Sequence, residues 1–128
     1  MSINLAFYGA ALFGLTGTAL GAYGAHGLAA GGTAPALVAA FNTGVQYQFL
    51  HALALLLLAV MLKRRVTAAL NAAVVFFVLG ILMFSGSIYA LVLFGARGIG
   101  FVTPLGGVSF MVGWLCLLLA GRTWLRSE

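Results

Sequence analysis

Acidic residues are almost missing from this chain: Glu128 is the only one among 128 residues, against six Lys or Arg, and charged residues make up 5% of the total. A water-soluble domain carries about 25% charged residues, so an ordinary soluble fold is excluded. The same lack removes carboxylate proton relays from every apolar segment and leaves only the two histidines to titrate there. Cysteine is represented once, by Cys116, which rules out an intrachain disulfide; its apolar neighbours mark it as a small packing residue. Hydrolase nucleophile elbows, phosphate loops and metalloprotease motifs are absent, because the glycine-rich stretches lack the Lys-Ser/Thr and strand context those chemistries need. No basic stripe interleaved with aromatics is present, so nucleic acid is not an expected partner.

What the chain does have is apolar length, with 64% hydrophobic residues. Four stretches, residues 4–25, 46–62, 68–94 and 104–119, approach or exceed the ~20 residues that cross a bilayer as a helix. Helices and closed barrels alone satisfy the backbone in hydrocarbon, and the run Leu53-Ala-Leu-Leu-Leu-Leu-Ala-Val-Met-Leu62 lacks the alternation a barrel strand requires. The expected fold class is therefore all-α, a polytopic membrane four-helix bundle forming one domain over residues 1–128. The lipid bilayer is its first partner. The rival reading of the first stretch is a cleaved signal peptide. Against it, residues 1–4 carry no Lys or Arg, and the apolar run exceeds the usual h-region.

Basic residues set the expected orientation. Lys63, Arg64 and Arg65 lie between stretches two and three, and Arg122 and Arg126 follow stretch four, whereas Arg97 lies alone on the other side. The excess of Lys and Arg in cytoplasmic loops places both termini in the cytoplasm, in a multi-pass protein of the cell inner membrane; contact with anionic headgroups explains the net charge of +5. Local signals mark helix starts: Thr103-Pro104 reads as an N-cap followed by proline at the first helical position, and Thr33-Ala34-Pro35 does the same for a short helix, 35–41. Its apolar face of Leu37, Val38 and Phe41 suits an interfacial helix between the first two spans, with Gly31-Gly32 as the turn before it.

Eighteen glycines would ruin isolated helices in water, but in a membrane they permit close approach. Two small-residue rows run along the first span, Ala10, Gly14 and Thr18 and then Gly17, Gly21 and Ala25, with shorter ones at Gly86 and Ala90 and at Ser109 and Gly113. They serve packing inside the bundle or an interface with a homo-oligomer or membrane-protein partner.

Polar residues inside apolar stretches carry whatever chemistry there is. Gln46, Tyr47, Gln48 and His51 cluster at the start of the second span, and Thr43, Tyr47 and His51 share one helical face. An antiparallel hairpin brings His26 to about the same level, so the two histidines are expected to face each other. Ser85, Ser87 and Tyr89 add hydroxyls on the third span. Three readings follow: these groups bond helix to helix, they ligate a metal or haem through His26 and His51, or they line a pocket for a small polar solute. Two ligands are too few for a closed structural zinc site, and no carboxylate supports them.

At these residues the chain resembles the domain-of-unknown-function 423 family, small inner-membrane proteins with a eukaryotic relative, transmembrane protein 256. The resemblance rests on Gly21-Ala-Tyr-Gly-Ala-His-Gly-Leu28, Gly44-Val-Gln-Tyr47 with His51-Ala-Leu-Ala-Leu55, Phe84-Ser-Gly-Ser-Ile-Tyr-Ala-Leu91, and Thr103-Pro-Leu-Gly-Gly107 leading to Gly113-Trp114. It implies a four-helix integral membrane protein with no assigned activity or cofactor, and His26, Gln46, Tyr47, His51, Ser85, Ser87 and Tyr89 as the family's polar groups. Relatives often carry charge soon after the histidine motif; residues 29–41 here carry none, which favours a surface-lying segment. The functional expectation is an accessory or scaffolding partner of a larger membrane complex, with a solute, metal or haem binder or transporter as the alternative and a membrane enzyme the weakest reading.

Overall fold

A computed structural model describes residues 2–127; the single acid, Glu128, lies outside the described residues. Four helices are long and apolar enough to cross a membrane: α1 (Ser2–Ala30), α2 (Pro35–Arg64), α3 (Ala68–Phe94) and α4, whose α-helical part is Val102–Trp124. No strand occurs among the described residues. The chain is an all-α integral membrane protein. Many of its large apolar side chains turn outward, Leu15, Leu57, Leu118 and Phe94 among them, as a lipid solvent permits.

Tight turns join the helices. α1 ends where Gly32 adopts φ +81°, with its N–H bonded to the Ala29 carbonyl and the Thr33 N–H to that of Leu28, the paired bonds of a Schellman stop. Pro35 then takes the first position of α2, as its fixed φ and missing N–H favour. Thr67 caps α3 by accepting from the Leu70 N–H at 3.2 Å. Gly95, at φ +67°, ends α3.

Two expectations are corrected. Residues 35–41 are not a separate interfacial helix but the first two turns of α2, which runs unbroken for 30 residues. Asn42 and Thr43 lie within this unbroken helix, and the Thr43 hydroxyl bonds back to the Ala39 carbonyl at 3.1 Å. Phe41 is fully buried between the rings of Tyr23 and Tyr89, so this segment belongs to the bundle. Thr103 does not cap α4 either. The helix starts at Val102, and the Thr103 hydroxyl sits 2.5 Å from that of Ser87 on α3, a partner from another helix that spacing could not reveal.

The helices form two antiparallel hairpins, α1 with α2 and α3 with α4, which meet along α2 and α3. α2 is the most enclosed: half of its most apolar 18-residue window is buried, against 17% for α1. Leu55, Leu58, Leu70, Val74 and Phe77 fill the core between α2 and α3. Both α1 and α3 contain one wide π turn, Tyr23–Gly27 and Ile81–Ser85. In the first, glycine is required: a methyl group at Gly24 would overlap Phe41 and the Asn42 side chain, so α1 could not close on α2.

Candidate functional site

Because α2 is surrounded, its polar side chains leave in different directions. Gln48, 2% exposed, is the hub between three helices. Its amide Nε2 donates to the Phe13 carbonyl of α1 at 2.8 Å and to the Thr16 hydroxyl at 2.9 Å, and its Oε1 accepts from the Tyr89 hydroxyl of α3 at 2.6 Å. The glycine at position 17 makes this possible. A methyl there would come within 3.3 Å of the Gln48 amide and press on Phe49.

His51, one turn further, belongs to α4 instead. Its Nε2 lies 3.0 Å from the indole nitrogen of Trp114 and its Nδ1 2.8 Å from the Tyr47 carbonyl. An indole N–H can only donate, so Nε2 accepts and Nδ1 carries the proton: the neutral ring has both nitrogens engaged. Phe110 stacks on it at 3.7 Å between centroids, and Phe77 meets it edge-on at 5.1 Å.

Hydroxyls complete the other seams. Ser85 Oγ donates to the Gly44 carbonyl of α2 at 2.6 Å, Ser109 Oγ of α4 to the Phe76 carbonyl of α3 at 2.7 Å, and Ser87 bonds the Phe84 carbonyl of its own helix as well as Thr103. Ser85 closes the π turn of α3, which sets it against α2. Among the described residues, no buried side-chain nitrogen or oxygen lacks a hydrogen-bond partner.

The structure thus brings together Gln48 with Tyr89, and His51 with the Tyr47 backbone, and turns Ser85 toward α2 and Ser87 toward α4. It does not bring the histidines together. His26 is exposed on the π turn of α1, whereas His51 faces α3 and α4, away from the α1 seam made by Gly17 and Gly21. Gln46 is exposed, and Tyr47 is 39% exposed with its ring against Phe84. The paired-histidine metal or haem geometry is therefore corrected: neither imidazole approaches the other, and the buried one has no free lone pair. No group of three or more His, Cys, Asp or Glu converges among the described residues.

Thr16, Thr103, Ser109 and Trp114 were not foreseen as partners. Trp114 belongs to the Gly113-Trp114 motif, but which atom its indole meets is a tertiary fact. A residue's polarity can be read in sequence, and its partner on another helix cannot.

A four-span bundle whose described buried polar side chains are each tied to a neighbouring helix defines a class of small polytopic membrane proteins. The family described as "Protein of unknown function (DUF423)" matches residues 20–107, and this chain belongs to it. It is 44% identical over 120 residues to the UPF0382 inner membrane protein YgdD of Escherichia coli (strain K12), covering 93% of this chain and 89% of that protein. The UPF0382 membrane protein YwdK of Bacillus subtilis (strain 168) is 36% identical over 117 residues, 90% of this chain and 94% of its own length. A UPF0382 membrane protein of Haemophilus influenzae is 40% identical over 107 residues, 84% and 85% of the two chains. No solved structure matches.

Proposed function

We propose that this protein is an accessory or scaffolding subunit of a larger assembly in a bacterial inner membrane, acting through its outward surface rather than through an internal site. The observation that carries this reading is the complete internal pairing of the buried polar side chains among the described residues. Polar residues within a membrane are functional by default, but here each buried one has a helix-binding role that accounts for it. Both termini face the cytoplasm in this reading: Lys63, Arg64, Arg65, Arg122 and Arg126 share one end of the bundle, where Arg65 reaches the Thr123 carbonyl at 3.1 Å, and Arg97 lies at the other. The Escherichia coli relative YgdD, an inner membrane protein by name, supports the compartment.

The alternative, a binder or transporter of a polar solute, metal or haem, has less support, because Gln48 and His51 offer no unengaged nitrogen or oxygen. The test is affinity purification of a tagged chain at native level from native membranes after in-cell crosslinking. A partner recovered in fixed ratio supports the accessory reading; a chain that always elutes alone, at its own size, removes it.

A further inference from the structure

We propose that the groove between α1 and α2 is a binding site for one anionic phospholipid, its phosphodiester held by Lys63 and Arg64 and one acyl chain lying along α1. This inference stands on different observations from the accessory reading.

At the basic end of the bundle, Asn4, Phe7 and Tyr8 of α1 and Leu56, Lys63 and Arg64 of α2 border an open groove of about 420 Å³. Phe7 and Leu56 also border the next groove, of about 330 Å³, so the two adjoin along the α1–α2 seam. The second has small residues on its α1 side, Ala10, Gly14 and Thr18, and Phe49 and Leu53 on its α2 side. From Phe7 to Thr18 the helix rises about 16 Å at ~1.5 Å per residue, close to the half-thickness of a ~30 Å hydrocarbon core. The furrow is therefore one leaflet deep.

Its chemistry is split in the same sense as a phospholipid. The deep part shows no hydrogen-bonding demand, since the Thr18 hydroxyl turns back onto the Gly14 carbonyl at 2.8 Å. The floor is open: a methyl group at Gly14 would meet nothing within 4 Å. The mouth holds two exposed cations that form no ion pair or hydrogen bond with described residues, in contrast to their neighbour Arg65, and the described residues include no acid to neutralise them. A zwitterionic lipid would fill the furrow but bring its own cation beside the phosphodiester and add to the uncompensated positive charge; an anion without a chain would leave the furrow empty. A phosphodiester with an acyl chain and no cation of its own meets both demands.

The experiment is native mass spectrometry of the whole chain in neutral detergent with added phosphatidylglycerol, phosphatidylcholine or inorganic phosphate. The expected result is one phosphatidylglycerol retained per chain in preference to phosphatidylcholine. Lys63→Gln and Arg64→Gln should each weaken retention about fivefold, the equivalent of ~1 kcal/mol per charge at a lipid surface. Gly14→Leu, which fills open space, should weaken it with both charges intact, while Arg122→Gln with Arg126→Gln, at the same end but outside the groove, should not. Because Lys63 and Arg64 are exposed, their variants keep the fold, and far-UV circular dichroism checks Gly14→Leu. Equal retention of the two lipids, or equal loss with the Arg122 and Arg126 pair, overturns the proposal. So does inorganic phosphate binding as well as the lipid, or a second protein helix in the furrow that Gly14→Leu displaces.

Discussion

Replacing Gln48 with leucine tests whether the buried polar groups are there to hold the helices together. The side chains are similar in size and Gln48 is 2% exposed, so Gln48→Leu removes hydrogen bonds with little change in packing. Three bonds go: two from the amide to α1, at 2.8 and 2.9 Å, and one received from Tyr89 at 2.6 Å. Interhelical hydrogen bonds in membranes average ~0.6 kcal/mol and reach ~1.7, so their sum is about 2 kcal/mol, roughly a thirtyfold shift in the folding equilibrium. Tyr89→Phe removes one of the three and should cost about 0.6 to 1 kcal/mol in the parent. In the Gln48→Leu background it should cost close to nothing, because the bond is already gone. Reversible unfolding in mixed micelles with increasing SDS, followed by tryptophan fluorescence, measures all four corners of this cycle. A neutral or stabilising Gln48→Leu would refute the reasoning: the amide would then be kept for a ligand, and the solute-binding reading would return.

Gly106→Ala should destabilise by about 1 to 3 kcal/mol in the same assay, since its methyl would overlap the Phe84 backbone, which cannot swing aside. Gly107→Ala, next to it but facing open space, should be neutral or slightly stabilising; similar effects at both would deny the tight α3–α4 seam. Nitrogen-15 NMR of the protein in nanodiscs should show His51 with a proton on Nδ1 and an accepting Nε2 whose shift moves on Trp114→Phe. A doubly protonated ring at neutral pH would contradict the hydrogen-bond assignment. A fluorescent protein fused to the C-terminus should fold and fluoresce, and an alkaline phosphatase fused there should be inactive; the opposite pair would invert the topology.

The four spans could be read from the chain because apolar length is a local property, and α3 keeps the expected limits of 68 and 94. The start of α2 could not. The Thr33-Ala34-Pro35 start signal and the apolar face of Leu37, Val38 and Phe41 suit a short interfacial helix as well as the first turns of a span, and only the burial of Phe41 against Tyr23 and Tyr89 decides between them. The π turns left no readable mark either, although the first coincides with the Gly-Ala-His-Gly motif and the second ends on Ser85. The polar cluster was legible as a list and not as an arrangement. Helical spacing put Thr43, Tyr47 and His51 on one face, but α2 touches three helices at once, so Gln48 turns to α1 and α3 while His51 meets α4.

Glycines and polar side chains occur together at every seam, and this pairing has a physical source. Lipid tails are as apolar as leucine, so no hydrophobic force draws one helix to the next, and association rests on close packing and hydrogen bonds. Gly17 lets α1 approach the Gln48 amide, and Gly44, whose carbonyl receives Ser85, lies against Ile88 and Tyr89. Gly113 accepts the Phe77 ring one turn from Ser109 and its bond to Phe76. A single logic of small residue plus hydrogen bond thus accounts for the motifs that most resemble a site, and it does not reach Gly14, Lys63 and Arg64, which meet at one groove. A methyl group at Gly14 would meet nothing within 4 Å, and the two cations have no partner among the described residues. Residues that the bundle does not need for itself are where contact with another molecule should be sought, which directs the first experiments to the α1–α2 groove rather than to the buried histidine.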